Sequence, residues 1–100
     1  MELLEEVAFK IISAAGDSFS SMVKGLKCAK EGDFAKADDC MIEAEKQLAK
    51  AHKIQTDLIV GEANGKRSEY SLLMVHAQDH VMNTVLANIL IREMIELHKK

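Results

Sequence analysis

The sequence predicts an all-α protein, an antiparallel three-helix bundle formed by a single domain of residues 1–100. The 100-residue chain is 48% hydrophobic but only 4% aromatic, and it contains no Pro and no Trp. This composition is typical of helices packed by aliphatic side chains. Apolar residues recur at intervals of three and four along most of the chain, which is the period of an amphipathic helix. Two short Gly-containing segments interrupt that period and divide the chain into three helices.

The first helix is predicted over residues 2–30. Its apolar positions follow steps of three and four, which predicts one buried face; they are Leu4, Val7, Ile11, Ala15, Phe19, Met22, Leu26 and Ala29. Gly16 and Gly25 lie inside this helix, and each lowers helix stability by about 1 kcal/mol relative to Ala. We interpret both as positions of close packing or of a slight bend, because neither belongs to a phosphate-binding loop motif.

The second helix is predicted over residues 34–60, after a turn at residues 31–33. Gly32 suits the left-handed position after a helix, and Asp33 suits the N-cap of the next helix. The second helix has a heptad-like apolar seam, broken only at Gln55; its members are Phe34, Ala37, Met41, Ala44, Leu48, Ala51 and Leu58. Such a seam is typical of antiparallel helices that pack at shallow angles.

A loop is predicted from Gly61, where the second helix should end, to Arg67. The third helix is predicted over residues 68–100, because no Gly or Pro interrupts this segment and Ser68 can serve as its N-cap. Apolar residues cover nearly every direction around its axis, and a helix that is apolar all round is buried all round. Two neighbouring helices cannot cover such a surface. We therefore predict that copies of the chain pack through the third helix in a symmetric oligomer, and a different protein partner is the alternative.

Charge and composition exclude several classes of protein. The net charge of −3, with acidic and basic residues interspersed, does not provide the basic patch of a nucleic-acid-binding protein. No apolar run approaches the ~20 residues of a membrane span, and the acidic first six residues do not fit a secretion signal. We predict a cytoplasmic protein in which Cys28 and Cys40, which form no CxxC motif, are reduced and buried.

The third helix contains the polar cluster His76-Ala77-Gln78-Asp79-His80. His76, Asp79 and His80 stand at i, i+3 and i+4 and share one helix face. Neutral imidazole is a nucleophile near pH 7, so His76 is a candidate phosphoryl acceptor with His80 and Gln78 as supporting donors. Gln78 points about 200° around the helix from His76 and would serve the site of a neighbouring subunit more easily than its own.

Two other interpretations of the cluster stay open. His-x-x-x-His on a helix, with Asp79 between the histidines, can bind a divalent metal, although residue 77 is Ala where a zinc protease has Glu, and no third ligand is obvious. Both histidines can instead be hydrogen-bonded structural residues. We assign a structural role to His52, beside the seam of the second helix, and a helix-dipole role to His98.

Residues 72–82, with the motif His-Ala-Gln-Asp-His, resemble the active-site helix of the lactose/cellobiose-type enzyme IIA proteins of the bacterial sugar phosphotransferase system. Shorter matches lie at residues 29–34, 51–56 and 62–63, so the resemblance spans the chain. Residues 17–21, Asp-Ser-Phe-Ser-Ser, depart from the small and basic residues expected of the family. The sequence therefore does not name the sugar.

The resemblance implies a cytoplasmic phosphocarrier with a phosphohistidine intermediate. HPr would phosphorylate His76, and His76 would pass the phosphoryl group to a cysteine of IIB. The membrane component IIC, contacted only indirectly, would then take up a β-linked disaccharide such as lactose, cellobiose or a chitobiose. The resemblance also implies a homotrimeric nine-helix bundle with Asp79 at its axis around a divalent metal, for which oxygen ligands favour Mg²⁺. The alternatives are a non-catalytic helical oligomerisation module and a metal-binding module.

Overall fold

The computed structural model describes residues 3–66 and 71–100, and over these residues it consists of three α-helices. Helix α1 spans Leu4–Lys30, α2 spans Phe34–Ala63 and α3 spans Leu72–His98. The three helices form a rod of 50 × 20 × 19 Å. Because each connection is short, α2 runs antiparallel to both α1 and α3. The predicted antiparallel three-helix bundle is confirmed.

Helix α1 packs extensively against both other helices, whereas α2 and α3 contact each other only sparsely. Small side chains let the helix axes approach closely. The alanines with almost no exposed surface are Ala8, Ala15, Ala29, Ala37, Ala44, Ala51 and Ala77. Ile11, Met22 and Val81 fill the space between them and are fully buried. The fold is therefore organised around α1, and the buried face of α3 packs mainly against α1.

The two cysteines are free thiols near the first interhelix turn, and Cys28 is buried while Cys40 is half-buried. Burial, and then the neighbouring Cys28, raise the pKa of the Cys40 thiol above its ordinary value. A raised thiol pKa favours the neutral form at neutral pH. Cys28 is buried as predicted, whereas Cys40 is less buried than predicted.

The first turn forms as predicted. Gly32 has a φ of +84°, and its N–H donates to the carbonyl of Ala29 at 3.0 Å, while Asp33 N–H donates to Cys28 at 2.9 Å. These two bonds are those of a Schellman motif. The Asp33 side chain then accepts from the N–H of Lys36 at 3.1 Å and caps α2.

The predicted end of α2 is wrong, because the helix continues through Gly61 to Ala63. The left-handed residue is Gly65, with a φ of +91°. Its N–H donates to Glu62 at 3.0 Å, and Lys66 N–H donates to Gly61 at 2.9 Å. This second Schellman motif places the helix end at Asn64-Gly65. Gly61 itself is tolerated inside the helix at a cost of about 1 kcal/mol relative to Ala.

The described part of α3 begins later than predicted. Ser71 is extended, with a φ of −147°, and its side chain caps the helix by accepting from the N–H of Met74 at 3.3 Å. The predicted capping role of Ser68 lies outside the described residues, as does the predicted start of the first helix at residue 2. Helix α3 ends at His98 rather than at residue 100.

Within one chain α3 is not buried all round. Its core face is covered by the other two helices, but its outer face exposes large apolar side chains; these are Leu72, Val75, Met82, Leu86, Ile89, Leu90, Met94 and Leu97. We call the line of Val75, Asp79, Met82 and Leu86 the outer seam of α3. No helix in the described part of the chain combines the length and the apolar character needed to cross a bilayer.

Candidate functional site

His76 and His80 lie one turn apart on α3, and their rings face each other. The ring centroids are 6.2 Å apart and the ring planes differ by only 9°. His76 is exposed, whereas His80 is half-buried. An exposed imidazole can meet a reactant on another protein, and a histidine one turn away can donate a hydrogen bond to a group held on that imidazole. The predicted pairing of these two histidines is present in the structure.

The partly buried environment of His80 comes from α1. A Cβ atom built on Gly16 would lie 3.8 Å from Nε2 of His80, and within residues 3–66 and 71–100 no other atom beyond the local backbone of α1 would come within 4 Å of it. A small surface cavity of about 180 Å³, which we call the His80 cavity, is lined by Phe19, His80, Asn83, Thr84 and Ala87. In the sequence Gly16 and Phe19 are only positions of the first helix, and no sequence pattern connects them to the histidines.

The segment of residues 17–21 links α1 to the other two helices. The hydroxyl of Ser18 is buried and donates to the carbonyl of Ala44 on α2 at 2.7 Å. The hydroxyl of Ser21 donates to Gln47 Oε1 at 2.9 Å. Phe19, between these serines, instead borders the His80 cavity. The two serines hold α1 against α2 while the phenylalanine contributes to the surroundings of His80.

Gln78 does not lie beside His76 in the same chain. It lies on the flank of α3 that faces α2, where its Oε1 accepts from Nε2 of Gln55 at 2.7 Å. Its own Nε2 approaches the Met74 sulfur at 3.4 Å. Gln55 is the polar residue that interrupts the apolar seam of α2, and it is buried. A buried amide needs a hydrogen-bond partner, and Gln78 of α3 is that partner.

Asp79 lies on the outer seam and is exposed. Its Oδ2 accepts a 3.3 Å hydrogen bond from Nδ2 of Asn83. Over residues 3–66 and 71–100, no group of three or more His, Cys, Asp or Glu side chains is placed to hold a metal ion. One chain therefore supplies Asp79 alone, and a metal at this position would need carboxylates from further copies.

The two remaining histidines are placed away from this cluster. His52 is exposed on α2 and borders a groove shared with Val85 and Asn88 of α3. His98 is the last residue of α3. Neither is brought together with His76 and His80.

Comparison with known proteins gives a consistent result along nearly the whole chain. Residues 6–99 match the family model described as PTS system, Lactose/Cellobiose specific IIA subunit. The chain is 44% identical over 94 residues to the lactose-specific EIIA component of Lactococcus lactis, covering 94% of this chain and 90% of that protein. It is 46% identical over 99 residues to the N,N'-diacetylchitobiose-specific EIIA component of Escherichia coli, covering 99% and 85%.

A solved structure extends the similarity to the fold. The structure is similar to IIA(Chitobiose) in the solution structures of its complex with HPr from the Escherichia coli phosphotransferase system, with a TM-score of 0.85 and 44% identity. The match covers 99% of this chain and 96% of that chain.

Proposed function

We propose, on the premise that this chain belongs to the lactose/cellobiose-specific IIA subunits of the sugar phosphotransferase system, that His76 is the residue on which it carries the phosphoryl group. The family membership confirms the resemblance seen in the sequence, and the chain is a phosphotransferase component. The observation that supports His76 is its exposed ring, stacked 6.2 Å from half-buried His80. His80 has the more restricted position of a supporting group.

The proposed reaction is a relay between proteins. A ring nitrogen of His76 attacks the phosphorus of phosphohistidine on HPr, so one P–N bond forms as the other breaks and the HPr imidazole is released. A cysteine thiolate of IIB then attacks the same phosphorus and frees His76. His80 donates a hydrogen bond to the phosphoryl oxygens during transfer. The existence of a complex between HPr and a chitobiose IIA protein supports HPr as the donor.

The proposed setting is the cytoplasm, where both protein partners would meet the chain, with the membrane component IIC contacted only through IIB. The names of the similar proteins support a β-linked disaccharide of the lactose, cellobiose or chitobiose class as the transported sugar. The net charge of −3 supports protein partners rather than nucleic acid.

We also propose that three copies of the chain assemble through the outer seam of α3. Val75, Met82 and Leu86 are each about half exposed in one chain, at 47%, 54% and 55%. Contiguous exposed apolar surface of this kind marks an interface. His76 and Gln78 lie on opposite flanks of the seam, so a threefold arrangement would bring Gln78 of one copy toward His76 of the next. In this assembly the Nε2 group of Gln78 would donate to the site of its neighbour, while its Oε1 still accepts from Gln55 of its own chain.

The proposed trimer places three Asp79 carboxylates near its axis, surrounded by apolar side chains. Close carboxylates repel one another unless they share a cation or some of them are protonated. Their oxygen atoms suit a hard divalent ion such as Mg²⁺. Asp79 is therefore the proposed metal ligand, and its contribution would be to neutralise the axis rather than to take part in phosphoryl transfer.

Intact mass spectrometry tests the central proposal. The protein is incubated with phosphoenolpyruvate, enzyme I and HPr, and it should gain the mass of one phosphoryl group that acid removes. His76→Gln should fold and gain no mass, while the matched control His52→Gln, also an exposed histidine, should be labelled normally. Cys40→Ser should be labelled too. Labelling of His76→Gln at the normal rate would disprove the assignment, and no labelling of the unaltered protein would favour an oligomerisation module.

A further inference from the structure

The ring of His80 lies against α1 at a position where α1 has no side chain. Gly16 is half-buried in the middle of α1. Among the described residues, and apart from the neighbouring backbone of α1, Nε2 of His80 is the only atom within 4 Å of a Cβ built there, at 3.8 Å. Gly is among the poorest helix formers, so its presence in the middle of a helix is unfavourable for that helix. The approach of the His80 ring from α3 leaves room at this position for Gly or Ala, but a larger side chain would reach the ring.

Phe19, one turn further along α1, lines the same cavity as His80. It is 43% exposed and forms one wall of the His80 cavity, together with Asn83, Thr84 and Ala87 of α3. A large apolar wall limits the directions in which the half-buried imidazole can swing. Gly16 and Phe19 are three residues apart and therefore lie on the same face of α1.

We propose that Gly16 and Phe19 are positioning residues for phosphoryl transfer, because together they hold the His80 ring beside His76. Gly16 provides the space and Phe19 closes it on one side. Neither residue touches the phosphoryl group; both act through His80. This inference rests on the proposed function, in which His76 accepts the phosphoryl group and His80 supports it.

Two substitutions of Gly16 distinguish a side chain that only contacts the His80 ring from one that displaces it. Ala adds only the Cβ, which meets Nε2 of His80 at an ordinary van der Waals distance of 3.8 Å. Val adds two γ carbons that extend about 1.5 Å further, and in a helix its χ1 angle is restricted to one preferred rotamer. Gly16→Val should therefore move the His80 ring, whereas Gly16→Ala should leave it in place.

The structure offers a matched control for each substitution. Gly61 is also inside a helix, but in the part of the chain that the structure describes no atom other than local helix backbone lies within 4 Å of a Cβ built on it. Gly61→Val therefore reports the effect of Val on a helix without displacing a neighbour. Phe9 is another exposed phenylalanine of α1, at 59% exposure, and it borders a different groove between α1 and α2. Phe9→Ala is the control for Phe19→Ala, and Phe19→Leu tests whether another apolar wall restores the position.

Two measurements on the full chain test the proposal. The first is the ¹H–¹⁵N spectrum of the histidine rings in unphosphorylated protein, which contains only four histidines. The second is the rate of phosphoryl transfer from phosphorylated HPr. Gly16→Val and Phe19→Ala should shift the ring signals of His80 and slow transfer, by up to about 10²-fold if the ring moves by roughly 1 Å. Gly16→Ala, Gly61→Val and Phe9→Ala should do neither, and Phe19→Leu should recover most of the rate.

Unchanged His80 signals in folded Gly16→Val and Phe19→Ala would overturn the proposal, and so would shifted signals with a transfer rate equal to that of the controls. If Gly16→Val does not fold, Phe19→Ala and Phe19→Leu decide the question by themselves. If the unaltered protein accepts no phosphoryl group, the proposed function fails and the inference fails with it. That result differs from failure of the inference alone, in which the unaltered protein and the variants are labelled at the same rate.

Discussion

His76 and His80 have the same side chain and lie on the same helix, but their surroundings give them different chemistry. His76 is exposed and accessible to a second protein, whereas His80 is half-buried against α1. A nucleophile that must react with two partners in turn needs exposure, and a hydrogen-bond donor that must keep one orientation benefits from confinement. The difference in burial supports the assignment of His76 as acceptor and His80 as supporting group.

His80→Ala should slow phosphoryl transfer without abolishing it. The variant loses a donor to the phosphoryl oxygens but keeps the acceptor, and removal of one positioned donor commonly costs on the order of 10²-fold in rate. The measurement is the time course of labelling by phosphorylated HPr and of discharge to IIB. Rates equal to those of the unaltered protein in both directions would make His80 a structural residue.

The Gln55–Gln78 pair should contribute to stability as a unit. Gln55 is only 6% exposed, and Gln78 accepts its 2.7 Å hydrogen bond. Gln78→Ala leaves a buried amide without this partner, so the free energy of unfolding should fall by about 1–3 kcal/mol. The double variant, which also contains Gln55→Ala, should lose less than the sum of the single losses. Urea denaturation of all four proteins measures the coupling, and strictly additive losses would contradict it.

At the scale of the helices, the spacing between α1 and α2 is set by residues that lack side-chain bulk. A Cβ built on Gly25 would lie 3.2 Å from the carbonyl oxygen of Ala37 and 3.2 Å from Cβ of Cys40. Because the first of these atoms belongs to the backbone of α2, an added methyl group would push the helices apart rather than turn a side chain aside. Gly25 is thus a contact residue of the bundle.

Gly25→Ala and Gly61→Ala should change stability in opposite directions. At Gly25 the better helix propensity of Ala is outweighed by the displacement of α2, and overpacking of this kind typically costs about 1–3 kcal/mol. At Gly61 the space is open, so the same substitution should raise the free energy of unfolding by up to about 1 kcal/mol. Urea or thermal denaturation of both variants gives the two signs. Stabilisation by Gly25→Ala would show that the two helices can separate freely.

At the scale of the whole molecule, one chain does not cover its own apolar surface. The rod measures 50 × 20 × 19 Å, and its third helix has the core on one side and the outer seam on the other. The seam contains the exposed carboxylate of Asp79 between Val75 and Met82. An interface with apolar residues around one charge per copy is stabilised by its apolar part, while the charge opposes it unless a cation is bound.

Asp79→Leu should therefore keep the trimer or tighten it. The substitution removes the mutual repulsion of the carboxylates and continues the apolar seam. Size exclusion coupled to light scattering at micromolar concentration measures the mass of the unaltered protein and of the variant, with Asp57→Leu on exposed α2 surface as the control. A monomeric unaltered protein would contradict the assembly. Dissociation of Asp79→Leu would contradict the repulsion argument and would favour a stabilising metal at the axis.

The sequence determined the features that depend on neighbours along the chain. Three features follow from residues within one or two turns of each other: the helical period, the Gly32-Asp33 turn and the position of His76 and His80 on one helix face. Local backbone geometry alone sets the distances in each of them. The end of α2 could not be predicted correctly even though the residues that form it are neighbours in sequence. Gly61 and Gly65 both suit a helix end, and only the backbone shows that Gly65 adopts the left-handed conformation, with a φ of +91°.

Only the tertiary structure decided which groups meet across helices. Gln78 belongs to the histidine cluster in sequence but pairs with Gln55 in space. Gly16 and Phe19 are far from His80 in sequence, but in the bundle Gly16 lies beside the His80 ring and Phe19 lines the same cavity. The physical reason is that a helical repeat defines which residues share a face, whereas the rotation and height of one helix against another depend on how all the buried side chains fit together. The surroundings of His80 are therefore a property of the packed bundle.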